Sequence, residues 1–301
     1  MKSKRWSLLK NLNLTESELK NQYSLKDFIR QIDPHNAKLK KIEALLSGHF
    51  KSFTSGEGFD FNEVREYKIG DDLRRISWNT TAKTGNLHTK EYFAEKEVRT
   101  YFLIDISNSM LCGNKLESFS KLFAFLLNLS CSFSEKIGGL FFSDEIKYHF
   151  PINQSYSQAN IMFQTFLNFI HNSNDGITMT SNSTNLNKAL EFTKRYFCKK
   201  GLIYIISDFI NLSQWEKVIY QTSQNQNIYL FQIYDPLDFY LPKAGYVTII
   251  DPETNERCVV NTDNKTIQQA YSNNMNKKQN DLNLFLKSIA VHHITIEPMS
   301  L

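Results

Sequence analysis

Hydrophobic positions along this chain change their spacing several times, and each change marks an element. Leu8, Leu9, Leu12 and Leu14, and later Leu39, Ile42, Leu45 and Leu46, recur at helical spacing. Asp33-Pro34 interrupts the pattern between them, and Gly48 is expected to end the second helix. Residues 51–98 read differently: Gly56, Gly58, Gly70 and Gly85 punctuate alternating aromatic and charged residues, and 87–97 reads as an extended strand. From Arg99 the pattern alternates strand with helix. Apolar runs at 100–104, 137–142, 202–207 and 228–234 predict strands, with 146–150 returning as a hairpin after Ser143-Asp144-Glu145. Helices are predicted over 115–133, 158–170, 186–197 and 213–224. A small hairpin (246–250 with 257–261), a helix over 275–290 and a last strand over 293–297 complete the chain. Apolar strands alternating with helices argue for a mostly parallel sheet covered on both faces.

Composition narrows the classes. With 301 residues and 41% hydrophobic side chains, the chain is long enough for one large α/β domain with an appended segment. The pattern divides it into an N-terminal helical and extended segment, 1–98, and an α/β domain, 99–301. A net charge of +4 is a small excess that does not point to nucleic acid or a membrane surface. The basic stretch from Lys68 to Lys90 is interleaved with acids, so its net field is modest. Cys112, Cys131, Cys198 and Cys258 are widely spaced without a C-x-x-C pair, so buried reduced thiols are expected rather than a zinc knuckle or disulfide framework. Met1–Lys10 is basic, but no apolar stretch follows it, and no apolar run reaches the roughly 18–20 residues that span a bilayer. The cytoplasm is the expected compartment.

Three short features fall where an α/β sheet places its ligand site, at the carboxyl ends of strands. Asp105-Ile106-Ser107-Asn108-Ser109 follows one apolar strand, Ser183-Thr184-Asn185-Leu186 opens a helix, and Ser207-Asp208 follows another strand. The residue types suit a hard cation, since magnesium takes about six oxygen ligands and keeps several waters. Serine hydroxyls at i and i+2 can point the same way, a threonine adds a third oxygen, and Asp105 and Asp208 supply negative charge. Each feature also has a plain structural reading, as a helix N-cap or a turn. His292-His293 read as an ordinary strand pair, and Phe141-Phe142, Phe163 and Phe166 as core.

D-I-S-N-S-M, then S-T-N-L-N-K-A-L, then I-I-S-D-F resembles the metal-ion-dependent adhesion site of von Willebrand factor A domains. The resemblance implies that Asp105, Ser107, Ser109, Thr184 and Asp208 hold Mg2+ or Mn2+. That family often carries Gly-Gly before the threonine; here Asn182-Ser183 stand there, which makes Ser183 a possible substitute. The run from Phe61 to Leu87 is similar to the signature of the bacterial family called domain of unknown function 58, through Arg65, Glu66, Tyr67, Gly70, Asp71, Asp72, Arg74, Ile76 and Trp78. Lys83 stands where that family usually has arginine, and Asp251-Pro252-Glu253-Thr254 fits its acidic hairpin. The resemblance covers roughly residues 40–300. It implies a doubly wound, von Willebrand factor A-like domain, and a partner among MoxR-type AAA+ ATPases or their clients.

Within the signature, Gly70-Asp71-Asp72 reads as a turn, with Arg65, Arg74 and Arg75 pairing to Asp71, Asp72 or Glu66, and Trp78 packed against a sheet edge. Its role is either an ion-paired turn that locks the N-terminal segment in place or a partner-docking surface. Phosphate-binding glycine loops, H-E-x-x-H and G-x-S-x-G are absent from the sequence. The expected function is a metal-dependent interaction module, an adaptor rather than an enzyme. The alternative is a metal-dependent phosphoester hydrolase using Asp105 and Asp208, which lacks a histidine near the motif to act as general base.

Overall fold

The computed structural model describes residues 24–93, 98–111, 114–133, 136–174, 184–197, 199–210, 215–250 and 257–297. The predicted helix around Leu8–Leu14, Ser183, Cys112, Cys198 and the acidic tip Asp251–Thr254 lie outside these residues. The chain forms two compact units: the described residues up to Leu39 together with those from Arg99 onward, and Lys40–Val98.

The larger unit is built on a six-stranded sheet. Its strands are β3 (Arg99–Asp105), β4 (Lys136–Phe142), β5 (Ile146–Gln154), β6 (Leu202–Ser207), β7 (Asn227–Ile233) and β10 (His292–Ile296). The order across the sheet is β10-β7-β6-β3-β4-β5. All neighbours are parallel except β5, which returns antiparallel against β4 at the edge. Counted from β3, this is the doubly wound order 3-2-1-4-5-6. β3 and β6 are buried almost throughout, as strands covered on both faces must be.

Side chains leave a strand alternately, so each face has its own core. Phe102 and Phe141 meet Phe123 of helix α4 (Lys115–Phe133), which in turn meets Phe163 and Phe166 of α5 (Ser155–Asn174), and Phe141 also meets Phe166, in edge-to-face or tilted contacts. Phe28 of α1 (Leu25–Ile29) joins them at 5.0 Å from Phe163. The opposite face, with Tyr101, Leu103, Leu140, Ile203, Ile205 and Leu230, packs in one cluster with α6 (Leu186–Tyr196), α7 (Glu216–Ser223) and Leu286 of α8 (Lys265–Ser288). At Gly139 the helix layer and β3 close in: an added methyl would stand 2.6 Å from the Phe102 carbonyl oxygen. α8 begins ten residues before its predicted start: Asn264 caps it, and Ile267, Ala270, Tyr271 and Met275 already stand at helical spacing, a signal the predicted start overlooked.

The smaller unit contains most of α2 (Ala37–Thr54), a two-stranded antiparallel sheet of β1 (Ser55–Glu66) with β2 (His88–Phe93), and α3 (Trp78–Thr84). Gly48 does not end α2, which continues to Thr54. A glycine ends a helix by adopting positive φ, and Gly48 does not. Buried Leu39, Ile42, Leu46 and Phe50 keep the helical spacing on both sides of it, while Leu45 is exposed. Two further expectations are corrected. Trp78 is 68% exposed, so it is not packed against a sheet edge. Cys258 lies exposed on β9 (Arg257–Asn261), which pairs with β8 (Tyr246–Ile250) as predicted, and Cys131 is only half-buried.

Candidate functional site

In a doubly wound sheet the crevice lies where the strand order reverses, outside the carboxyl ends of the two central strands. Here those strands are β3 and β6, which end at Asp105 and Ser207-Asp208. Asp105 is fully buried and anchored twice: Ser107 N–H donates to Oδ1 at 2.9 Å, and the Ser207 hydroxyl donates to Oδ2 at 2.6 Å. The first bond curls the loop after β3 back on itself. It sets the Ser107 and Ser109 hydroxyl oxygens 3.0 Å apart, as expected of serines at i and i+2.

Thr184 sits on the same sheet end by a relay of backbone bonds. Ile106 N–H donates to Phe142 O, and Asn185 N–H donates to Ser143 O, so the loop before α6 is tied beside the end of β4. Thr184 is buried, and Asn185 caps α6 by accepting from Lys188 N–H. The capping side chain is thus Asn185, which leaves Thr184 outside that role.

The buried Asp208 carboxylate is also engaged twice, and one of its partners is a charge. It accepts from Ile210 N–H at 3.1 Å and from the Lys115 ammonium at 3.2 Å. Lys115 is only 3% exposed and also contacts Asp238 at 2.8 Å. Asp238 ends the 3₁₀ turn Pro236–Asp238, where Asp235 closes a capping box, and the Tyr271 hydroxyl donates to the Asp238 carbonyl. Burial alone would pull the Lys115 ammonium toward neutrality; Asp208 and Asp238 outweigh it, and its pKa is raised. Burial, then the neighbouring Asp208 charge, push the Asp105 carboxyl well above the ordinary carboxylate range, against the hydrogen bonds from Ser207 and Ser107.

Sequence reasoning missed Lys115, Asp238 and the role of Ser207. One local signal was available for Lys115, since a lysine as the first residue of a helix stands against the helix dipole. Among the described residues there is no group of three or more His, Cys, Asp or Glu side chains suited to a metal, so any cation site here depends on hydroxyl oxygens.

The predicted signature residues lie together in the smaller unit. Arg65 holds Asp71 with both guanidinium arms, at 2.8 and 2.9 Å, and Lys68 N–H donates to the same carboxylate. These bonds, Arg65 first, hold the Asp71 carboxyl down at about 2. Gly70 turns with φ 109°, as its predicted role requires, and Asp72 caps the turn Leu73–Arg75 by accepting from Arg74 N–H. Glu66 pairs with His88 across the sheet, half-buried Tyr67 donates its N–H to Leu87 O, and Ile76 is buried. Ile69, Leu73 and Trp78 project outward, each more than half exposed.

Uncharacterized proteins of Mycobacterium tuberculosis and Mycobacterium bovis are 24% identical over 219 residues, 71% of this chain and 67% of theirs. Among solved structures, an aerotolerance-related membrane protein from Bacteroides fragilis matches 66% of this chain and 91% of its own, at 19% identity and a TM-score of 0.41. A von Willebrand factor type A protein from Catenulispora acidiphila matches 49% of this chain and 35% of its own, at 13% identity and a TM-score of 0.34. No described helix is long and apolar enough to cross a membrane. The model of the family described as protein of unknown function DUF58 matches residues 63–281, and the chain belongs to that family.

Proposed function

We propose that the face formed by Asp105, Ser107, Ser109, Thr184 and Asp208 binds a hard divalent cation, Mg2+ or Mn2+, and through it an acidic residue of a protein partner. One observation carries the reading. The Ser107 and Ser109 hydroxyl oxygens stand 3.0 Å apart. Adjacent oxygens of an octahedral ion with ligands at about 2.1 Å are separated by about 3.0 Å. The two hydroxyls now share a hydrogen bond, and an ion would take its place with the oxygens already at the separation of neighbouring ligands. Asp105, fixed by Ser107 and Ser207, supplies charge behind them, and its proximity to Asp208 leaves an excess of buried negative charge that a cation relieves. Thr184 lies on the loop before α6, which the Asn185 N–H ties to Ser143 beside the end of β4. A bound ion supplies a Lewis-acidic centre that holds a carboxylate.

The proposed partner is a MoxR-type AAA+ ATPase or its client, and the chain would act as an adaptor in protein assembly, maturation or stress response. This partner class rests on what the sequence resemblance implies. The exposed Ile69, Leu73 and Trp78 of the signature are proposed as a second contact. Capture of the ATPase on the immobilised chain should require Mg2+ or Mn2+ and be lost with EDTA or in Asp105→Ala. Capture that survives both would overturn the reading. Phosphoester turnover that Asp208→Asn abolishes would replace it with the hydrolase alternative.

A further inference from the structure

Among the described residues Lys115 is the only buried lysine or arginine. Its position is doubly unfavourable for a cation, at the positive end of a helix and out of water. What holds it is a pair of acids on separate loops, Asp208 after β6 and Asp238 after β7. One of those acids is a ligand in the reading above, and the other is not. The ammonium is nearer to Asp238, at 2.8 Å against 3.2 Å, and Asp238 is set by its own capped turn independently of Asp208.

We propose that Lys115 is a tethered cation that competes with the divalent ion for Asp208, and that Asp238 is where its ammonium is held when Asp208 turns to the ion. The inference rests on the metal reading and adds a regulator to it. With its own cation supplied by the chain, the face stays partly charge-compensated without metal. The ion then binds reversibly rather than as a permanent structural element, and partner engagement follows metal supply.

The idea makes opposed predictions for two variants outside the ligand set. Titration of Mn2+ with the free-ion electron paramagnetic resonance signal measures affinity directly, without any partner or activity. Lys115→Met removes the competitor and should tighten Mn2+ binding about tenfold or more. Asp238→Asn confines the ammonium to Asp208 and should weaken binding about fivefold or more. In the Lys115→Met background, Asp238→Asn should change the affinity by less than about twofold, because no ammonium remains to be held. Circular dichroism melts establish that each protein is folded. If Lys115→Met does not fold, Lys115→Gln takes its place, since its amide keeps a donor for one carboxylate.

Additive factors in the double variant would mean that the two side chains act only through their net charge, and would overturn the proposal. So would single variants that shift affinity in the same direction, which is the mark of a brace. Absence of Mn2+ binding in the wild type and all variants would instead overturn the metal reading itself.

Discussion

Replacing Asp208 with alanine in metal-free buffer asks how much of this sheet edge is held by the Lys115 ion pair. The Asp208 side chain is 2% exposed, and its loss leaves Lys115, 4% exposed at the side chain, with Asp238 alone. Removing one partner from a buried pair costs about 3–5 kcal/mol, because a buried charge is left uncompensated. Asp238 remains at 2.8 Å and is itself 22% exposed, so part of that cost is offset. The loss of the Ile210 N–H acceptor adds to it. We therefore expect Asp208→Ala to lower unfolding free energy by about 2–4 kcal/mol. Lys115→Met, which strands two acids, should cost a similar amount. Because both variants remove the same contact, the double variant should fall short of the sum by about 1.5 kcal/mol or more. Urea unfolding followed by circular dichroism, with linear extrapolation, gives all three values. A loss below about 1 kcal/mol for Asp208→Ala, or additivity within about 0.5 kcal/mol, would refute the charge argument.

Three further outcomes follow from the same geometry. Gly139→Ala forces a methyl against the β3 backbone and should cost about 3 kcal/mol or more, whereas Gly48→Ala, in a helix interior with open space, should stabilise by up to about 1 kcal/mol; chemical denaturation separates them. Burial holds the His293 imidazole down at about 4. The unfolded chain binds that proton near pH 6.5, so stability should fall as pH drops from about 7 toward 4, and His293→Gln should flatten that part of the profile in urea midpoints taken across the range. Trp78→Ala should leave stability within about 0.5 kcal/mol, since the ring is exposed, while reducing capture of the ATPase; a large stability loss would make the tryptophan structural.

The sheet was legible along the chain because its central strands are buried on both faces and must be written as continuous apolar runs: β6 falls on its predicted residues, and β3 and β7 within one or two of theirs. Asp105, Ser107 and Ser109 were legible for a related reason, since polar residues that follow such a run sit at the carboxyl end of the sheet. Trp78 was misread because an aromatic side chain carries no local mark of whether anything will cover it. Lys115 and Asp208 are 93 residues apart, and Ser207 and Asp105 are 102 apart. Nothing local to either member of such a pair encodes the other. The sequence determined by itself the apolar strands of the larger sheet, its mostly parallel, doubly wound class and the loop that carries two hydroxyls. Only the tertiary structure decided that Asp208 meets an ammonium, because charge pairing depends on distance in space, which β3, β6 and β7 set by lying side by side.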